Sequence, residues 1–199
     1  MWDERYNRPD YVFGTEPNAF LASQAELLSP GQSVLAVADG EGRNSVWLAS
    51  QGLDVTAFDA SSVGLDKAWR LAADQGVTVD YKLASIEDWD WAPDRFDIVA
   101  AIFIQFAPPD LRARIFDGIK QTVKPGGLVL MQGYRPEQVD YGTGGPPQRD
   151  HMYTRDLLEN AFDDFEIMSL EAHDSEINEG PGHDGVSALI DMVARKPAG

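Results

Sequence analysis

The chain has 199 residues, 43% hydrophobic and 25% charged, an ordinary globular mixture with enough apolar residues for one sizeable core. Its formal net charge of −17 repels polyanions, and its 16 Lys and Arg residues are scattered, with no run longer than Arg195–Lys196. This balance argues against nucleic acid and for a small-molecule partner. The absence of cysteine excludes disulfides, thiolate catalysis and Cys-based metal sites. No apolar run approaches the roughly 18–20 residues of a bilayer span, and the opening MWDERYNRPDYVFG lacks a basic region followed by an apolar one. A cytoplasmic protein that engages no membrane is therefore expected.

Residues 17–28 place Phe20, Leu21, Ala25 and Leu28 on one face, which predicts an amphipathic helix with Pro17 near its first turn. Residues 33–38 (SVLAVA) suit a buried parallel strand. The glycine-rich turn Asp39-Gly40-Glu41-Gly42 then leads into a helix that stops at Gly52. The same grammar repeats. Residues 54–58 read as a strand, Ser62 caps a helix running to about Gln75, and VTVDYKL and FDIVAAIF are the third and fourth strands. Pro109-Asp110 opens a helix over residues 111–122. Lys124-Pro125-Gly126-Gly127 forms a type II turn before the strand LVLMQGY. Residues 135–150 read as a long loop, Thr154 caps a last helix, and FEIMSLEAH and SALIDMVARK are two final strands joined by EINEGPGHDG. Strands alternating with helices of 10–15 residues imply an α/β fold, a mostly parallel sheet with helices on both faces.

Ligands of open α/β sheets bind outside the carboxyl ends of the strands, where strand order reverses. The turn after the first strand lies there, at a helix N-terminus with free N–H groups. Asp59 ends the second strand, where a carboxylate can accept both hydroxyls of an adenosine ribose. A dinucleotide site uses the same layout, so an NAD-dependent oxidoreductase is one alternative. The acids Asp39 and Glu41 sit where a diphosphate would have to lie. They suit instead the cationic, phosphate-free S-adenosyl-L-methionine.

The order and spacing of these segments resemble the class I S-adenosylmethionine-dependent methyltransferases, specifically the small bacterial group related to tellurite-resistance and thiopurine methyltransferases. The residues that carry the resemblance are WDERY with YVFGTEPNAFL, VLAVADGEGRNSVWLASQG, VTAFDAS, FDIVAAIF, KPGGLVLMQG, TGGPP and GHDGVSALIDMVARKP. The resemblance implies a Rossmann-like seven-stranded sheet, last strand antiparallel, in a single domain over 1–199. Residues 1–28 would form an N-terminal lid and helix, and 33–199 the core. It implies S-adenosyl-L-methionine as methyl donor, S-adenosyl-L-homocysteine as product, and a small-molecule acceptor with a soft nucleophile such as a thiol or chalcogen anion. By position, Asp39, Gly40 and Gly42 would border the donor's methionine portion, and Asp59 would hold the ribose. Ala60, Ser61, Ser85 and Ile86 would flank the adenine, and Phe103 and Ile104 would lie near the sulfur. Trp2, Tyr11 and Phe13 would cover donor and acceptor. The family's first-loop acid and first glycine are replaced by Ala36 and Ala38, and Ser85 stands where an acid often meets the adenine amine. A non-catalytic donor-binding or regulatory protein is therefore a second alternative.

Methyl transfer needs alignment and exclusion of water more than chemical machinery. His151, His173 and His183 show no metal-ligand spacing, and no metal is expected. His183, in the GPGHDG turn, is a candidate base or hydrogen-bond partner for the acceptor, with an exposed turn histidine as the plainer reading. Gln105 and Phe106 follow the fourth strand, where the acceptor approaches. Arg43, beside Asp39 and Glu41, is expected to turn toward the donor, and Arg149 to attract an anionic acceptor. Trp47, Trp69, Trp89 and Trp91 are read as packing residues.

Overall fold

The computed structural model describes residues 2–199. Their elements run α1 (Trp2–Tyr6), α2 (Ala19–Ser23), β1 (Ser33–Val37), α3 (Arg43–Ser50), β2 (Asp54–Asp59), α4 (Ser62–Asp74), β3 (Asp80–Leu83) and β4 (Phe96–Ile102). Then come α5 (Pro109–Thr122), β5 (Val123–Tyr134), α6 (Gln138–Tyr141), α7 (Arg155–Ala161), β6 (Glu166–Asn178) and β7 (Asp184–Arg195). The strands form one seven-stranded sheet in the order β3-β2-β1-β4-β5-β7-β6. Only β7 runs against its neighbours, β5 and β6. This is the Rossmann-like sheet with an antiparallel last strand that the sequence implied.

The strands' apolar residues alternate between two cores, because successive side chains point to opposite faces. Leu35, Val37, Val99, Ala101, Val129 and Met131 pack on one face with Phe116 and Ile119 of α5 and Leu158 of α7. Val34, Ala36, Ile98, Ala100 and Leu130 pack on the other with Leu48 of α3 and Leu65 and Leu71 of α4. Each Val, Leu, Ile, Met or Phe among them contributes roughly 1.5–3 kcal/mol by leaving water, so helices on both faces are required to cover the sheet. The chain leaves β1 for β2 and β3 on one side and returns to β4 on the other. The crevice at β1/β4 is therefore the reversal point.

Several boundaries differ from the sequence expectation. The helix expected over 17–28 is α2 followed by a separate 3-10 turn, Ala25–Leu27. Its cap is Asn18 rather than a turn begun by Pro17: the Asn18 side chain accepts from Leu21 N at 3.0 Å, and its amide donates to Gln132 Oε1 at 2.6 Å. Tertiary anchoring of Asn18 thus sets where the helix starts. Helix α4 is capped by Ser61, whose Oγ accepts from Gly64 N at 3.0 Å, one residue before the Ser62 expected. The type II turn at 124–127 has Gly126 at φ 78° in its third place, and β5 continues through it. The loop at 135–150 contains α6 and a 3-10 turn, Arg149–His151. Strands β6 and β7 extend toward each other along an antiparallel ladder, Glu166↔Arg195 to Asn178↔Asp184, with one register shift between Ile167 and Ser169. The EINEGPGHDG connection is thereby reduced to a tight hairpin loop over residues 179–183.

Candidate active site

Along the carboxyl ends of β1, β2, β4 and β5 lies a cavity of about 710 Å³, within the range of small-molecule sites. One wall is the loop after β1. There Ala38 takes a left-handed backbone (φ 48°), unusual without glycine. At Gly42, a Cβ would meet Ala68 Cβ at 2.6 Å, so the loop's close packing against α4 demands glycine. At Gly40 a Cβ would meet Tyr6 Oη at 2.6 Å. The α1 segment lies directly over the loop.

Two carboxylates define this end of the cavity. Asp59 Oδ2 accepts from Gly40 N and Oδ1 from Ser61 N, both at 2.8 Å. Each oxygen keeps a second lone pair. Burial raises the Asp59 carboxyl above its ordinary value against the pull of these N–H groups. Asp39 accepts from Ser45 N at 3.2 Å and from the Ser45 hydroxyl. Desolvation in the cavity wall pushes its carboxyl up to about 7; Asp59 adds to the rise, and the Ser45 and Arg43 contacts oppose it. Ala60, Ser85 and Ile86 continue the wall beyond Asp59.

The other end is aromatic and basic. Phe103 leaves β4 with φ 54°, which swings its ring 4.6 Å from that of Tyr134 at the end of β5 and 4.4 Å from that of His183. Such a strained residue at the mouth of a crevice points to function. Phe13 lies 4.5 Å from His183, and the Arg5 guanidinium sits over the rings of Trp2 and Phe13 at 5.3 and 5.1 Å. Behind this wall Arg43 Nη2 donates to Glu179 Oε2 at 2.7 Å, an ion pair almost closed to solvent. Burial opposes the charge on Glu179, but His183, the Arg43 guanidinium and the Ala19 N–H offset it and hold the carboxyl down to about 2. Burial also lowers His183 below its ordinary value, an effect that Arg43 and Arg5 reinforce and Glu179 resists. The imidazole is neutral at neutral pH.

Of the residues singled out from sequence, the cavity wall brings together Trp2, Phe13, Asp39, Gly40, Arg43 and Asp59, with Ala60, Ser85, Ile86, Phe103, Gln105, Phe106 and His183. His183 is buried rather than an exposed turn residue. Gln105 has both ends of its amide on the Tyr134 backbone, Nε2 to O at 2.7 Å and Oε1 from N at 2.6 Å. It sets where Tyr134 stands. Other candidates lie outside the wall. Glu41 turns away to pair with Lys67 at 2.7 Å and to accept from Val12 N at 2.7 Å. Ser61 caps α4, Ile104 is in the core, and the Tyr11 hydroxyl donates to Lys67 O at 3.2 Å. Arg149 is exposed and paired with Asp140. Trp89 stacks on Phe58 at 4.2 Å, and Trp69 is exposed. Sequence reasoning missed Arg5, Tyr6, Tyr134, His151 and the 145–148 loop as wall residues. For the loop, its run of Gly and Pro was a usable signal. Among the described residues, no helix is long and apolar enough to cross a membrane.

Residues 34–127 match the model of a methyltransferase domain. The chain is 31% identical over 140 residues to the ubiquinone biosynthesis O-methyltransferase of Pasteurella multocida, 65% of this chain and 57% of that relative. It spans between 37% and 57% of the length of the first curated relatives it matches. Two solved structures share its fold. TehB from Haemophilus influenzae superposes with a TM-score of 0.73 at 19% identity, covering 98% of this chain and 65% of that one. A protein solved in work on the conversion of a disulfide bond into a thioacetal group during echinomycin biosynthesis gives 0.78 at 18% identity, covering 98% and 90%. Residues 34–127 thus form a methyltransferase domain, set in the Rossmann-like sheet that these solved structures share.

Proposed function

We propose that the protein transfers the methyl group of S-adenosyl-L-methionine to a small molecule with a soft nucleophile, a thiol or chalcogen anion, leaving S-adenosyl-L-homocysteine. The observation that carries this reading is the polarity of the cavity: carboxylates at the β1 and β2 ends, aromatic and basic groups beyond β4. The bound donor supplies a methyl group on a sulfonium, already a good leaving group. The acidic loop, the Gly40 backbone and the free lone pairs of Asp59 fit this cation, its amine and its ribose. Asp39 faces the amine in this assignment, and Ala60, Ser85 and Ile86 flank the adenine. Glu41, Gly42, Ser61 and Ile104 serve it indirectly, through the packing of loop and strand ends. Trp2, Tyr6 and Phe13 cover the cavity and exclude water. Phe103 and Phe106 bound the path along which the acceptor approaches, and Gln105 holds Tyr134 in that wall.

A thiol ionises near pH 8.5 in the ordinary case, so it needs only modest help to lose its proton. A neutral His183 beside Phe103 suits that task. The same histidine supports a second reading, an oxygen acceptor, as in the name of the Pasteurella relative. Sulfur chemistry is what the echinomycin neighbour's description names. The test is mass analysis of thiols, selenols and phenols incubated with the protein and S-adenosylmethionine. Methylated thiol or selenol is the expected result. Methylation of phenols alone, abolished in His183→Ala, replaces the soft-nucleophile reading with the oxygen one. Donor binding with no methylated product across the panel makes the chain a donor-binding protein.

A further inference from the structure

The aromatic end of the cavity contains polar groups that the donor, as assigned, does not use. Arg43 Nη1 and Tyr134 Oη are each buried and have no hydrogen-bond partner, while His183 Nδ1 lies 4.0 Å from Glu179 Oε2 behind the wall. Tyr134 is 1% exposed and His183 6%. Unpaired polar atoms at this depth are rare in folded proteins and costly unless a ligand completes them. All three residues line the same cavity, and Arg5 lines it too. The ring contacts of His183 bring them together: Phe103 at 4.4 Å, Phe13 at 4.5 Å and Tyr134 at 5.6 Å.

The charge balance at this end is fixed from behind. Glu179 neutralises Arg43 through Nη2 but is not part of the cavity wall, so the cavity meets the guanidinium and not its counterion. Arg5 stacks on Trp2 and Phe13, and no carboxylate is paired with it in the ion pairs among the described residues. Burial and the nearby Glu179 raise the Tyr134 phenol well above its ordinary range, so its hydroxyl remains a donor. Two guanidinium groups and a phenolic O–H, set among four aromatic rings, match a planar ring bearing an oxyanion. Their position matters as well. Tyr134 ends β5 and His183 lies in the β6–β7 hairpin, beyond β4 from the Asp39 and Asp59 carboxylates.

We propose that this cluster is an anion subsite for the methyl acceptor, and that the acceptor is a small aromatic carboxylate whose acid group is held by Arg43 and Tyr134, with the His183 ring packed beside them and Arg5 at the entrance. The assignment deepens the methyl-transfer reading and rests on it. It also explains how a chain of net charge −17 admits an anionic substrate: the repulsion is local to the surface, and the cavity end is basic.

The test is calorimetric titration of benzoate, and of the isosteric neutral benzamide, into the protein saturated with S-adenosylhomocysteine and into donor-free protein. Benzoate is expected to bind about tenfold or more tightly than benzamide, as hydrogen bonds to a charged group predict. Tyr134→Phe removes only an unpartnered hydroxyl and is expected to erase most of that preference while its melting temperature stays at or above that of the parent. Arg5→Gln, at the exposed entrance, is expected to weaken benzoate and not benzamide. Equal binding of benzoate and benzamide overturns the proposal. Competition between benzoate and S-adenosylhomocysteine also overturns it, because the basic groups then belong to the donor's own carboxylate. Failure of S-adenosylhomocysteine to bind counts against the methyl-transfer reading instead, and the donor-free titration still decides whether the anion subsite exists.

Discussion

Replacing Glu179 with Ala removes a single carboxylate on which several separate segments converge. Its oxygens accept from Arg43 Nη2 at 2.7 Å, from Asn18 Nδ2 at 3.0 and 3.3 Å, and from Ala19 N at 3.1 Å. The variant keeps a guanidinium whose side chain is 7% exposed, with Nη1 already unpartnered and Nη2 newly so. Breaking one side of a buried pair costs about 3–5 kcal/mol. For a chain of this size each kcal/mol moves the melting temperature by about 2–4 °C, so a fall of roughly 6–20 °C is expected. The pH dependence has a definite sign. The folded carboxyl is held at about 2 against an ordinary 4.5. Its stabilisation is therefore complete above about pH 4.5 and is lost as pH falls toward 2. Thermal melts of parent and variant, followed by circular dichroism across acid to neutral pH, should show a gap that closes through that window. The double change Arg43→Met with Glu179→Leu should recover most of the loss, because it removes both buried charges. A cost below about 1 kcal/mol, or a gap unchanged between neutral and acid pH, would refute the reasoning.

Two further predictions concern the loop after β1. Gly42→Ala sets a Cβ 2.6 Å from Ala68 Cβ and 2.8 Å from Ala68 Cα, at φ 91°. The rigid clash and the backbone strain together should cost at least about 2 kcal/mol in urea unfolding, and a change within about 0.5 kcal/mol would show that loop and α4 are not in such contact. Asp39 titrates near 7, so below that pH it is protonated and attracts the donor's ammonium less. Donor affinity should fall as pH drops from about 8 to 6, with proton release on binding at the lower pH. Calorimetry in buffers of different ionisation enthalpy reads this directly, and a flat affinity with no proton release would remove Asp39 from the amine.

Much of the fold could be read from local pattern because the central strands are buried on both faces. Residues 33–38 and 96–103 are continuous apolar runs, and each became a strand within a residue of its expected end. Boundaries failed where distant residues decide them. Asn18 starts α2 because Gln132 and Glu179, more than 100 residues away, hold it. The site divides in the same way. The positions of Asp39, Gly40 and Asp59 follow from strand ends and turn chemistry, and the cavity wall contains them. Glu41 looked equivalent to Asp39, but Lys67, 26 residues on, draws it to the other side of the loop. Tyr134 and Arg5 carry no local signature. Their place in the wall comes from the β5 register, the Gln105 clamp and the path of the opening segment across the crevice.

Donor binding underlies every role proposed for the cavity. Titration calorimetry of the protein with S-adenosylmethionine, S-adenosylhomocysteine and NAD, repeated with Asp59→Ala, tests it most directly. The predicted result is saturable binding of both adenosyl compounds, weakened about tenfold or more when the Asp59 carboxylate is removed, and no binding of NAD. Binding of NAD without either adenosyl compound, or adenosyl binding indifferent to Asp59, would contradict it.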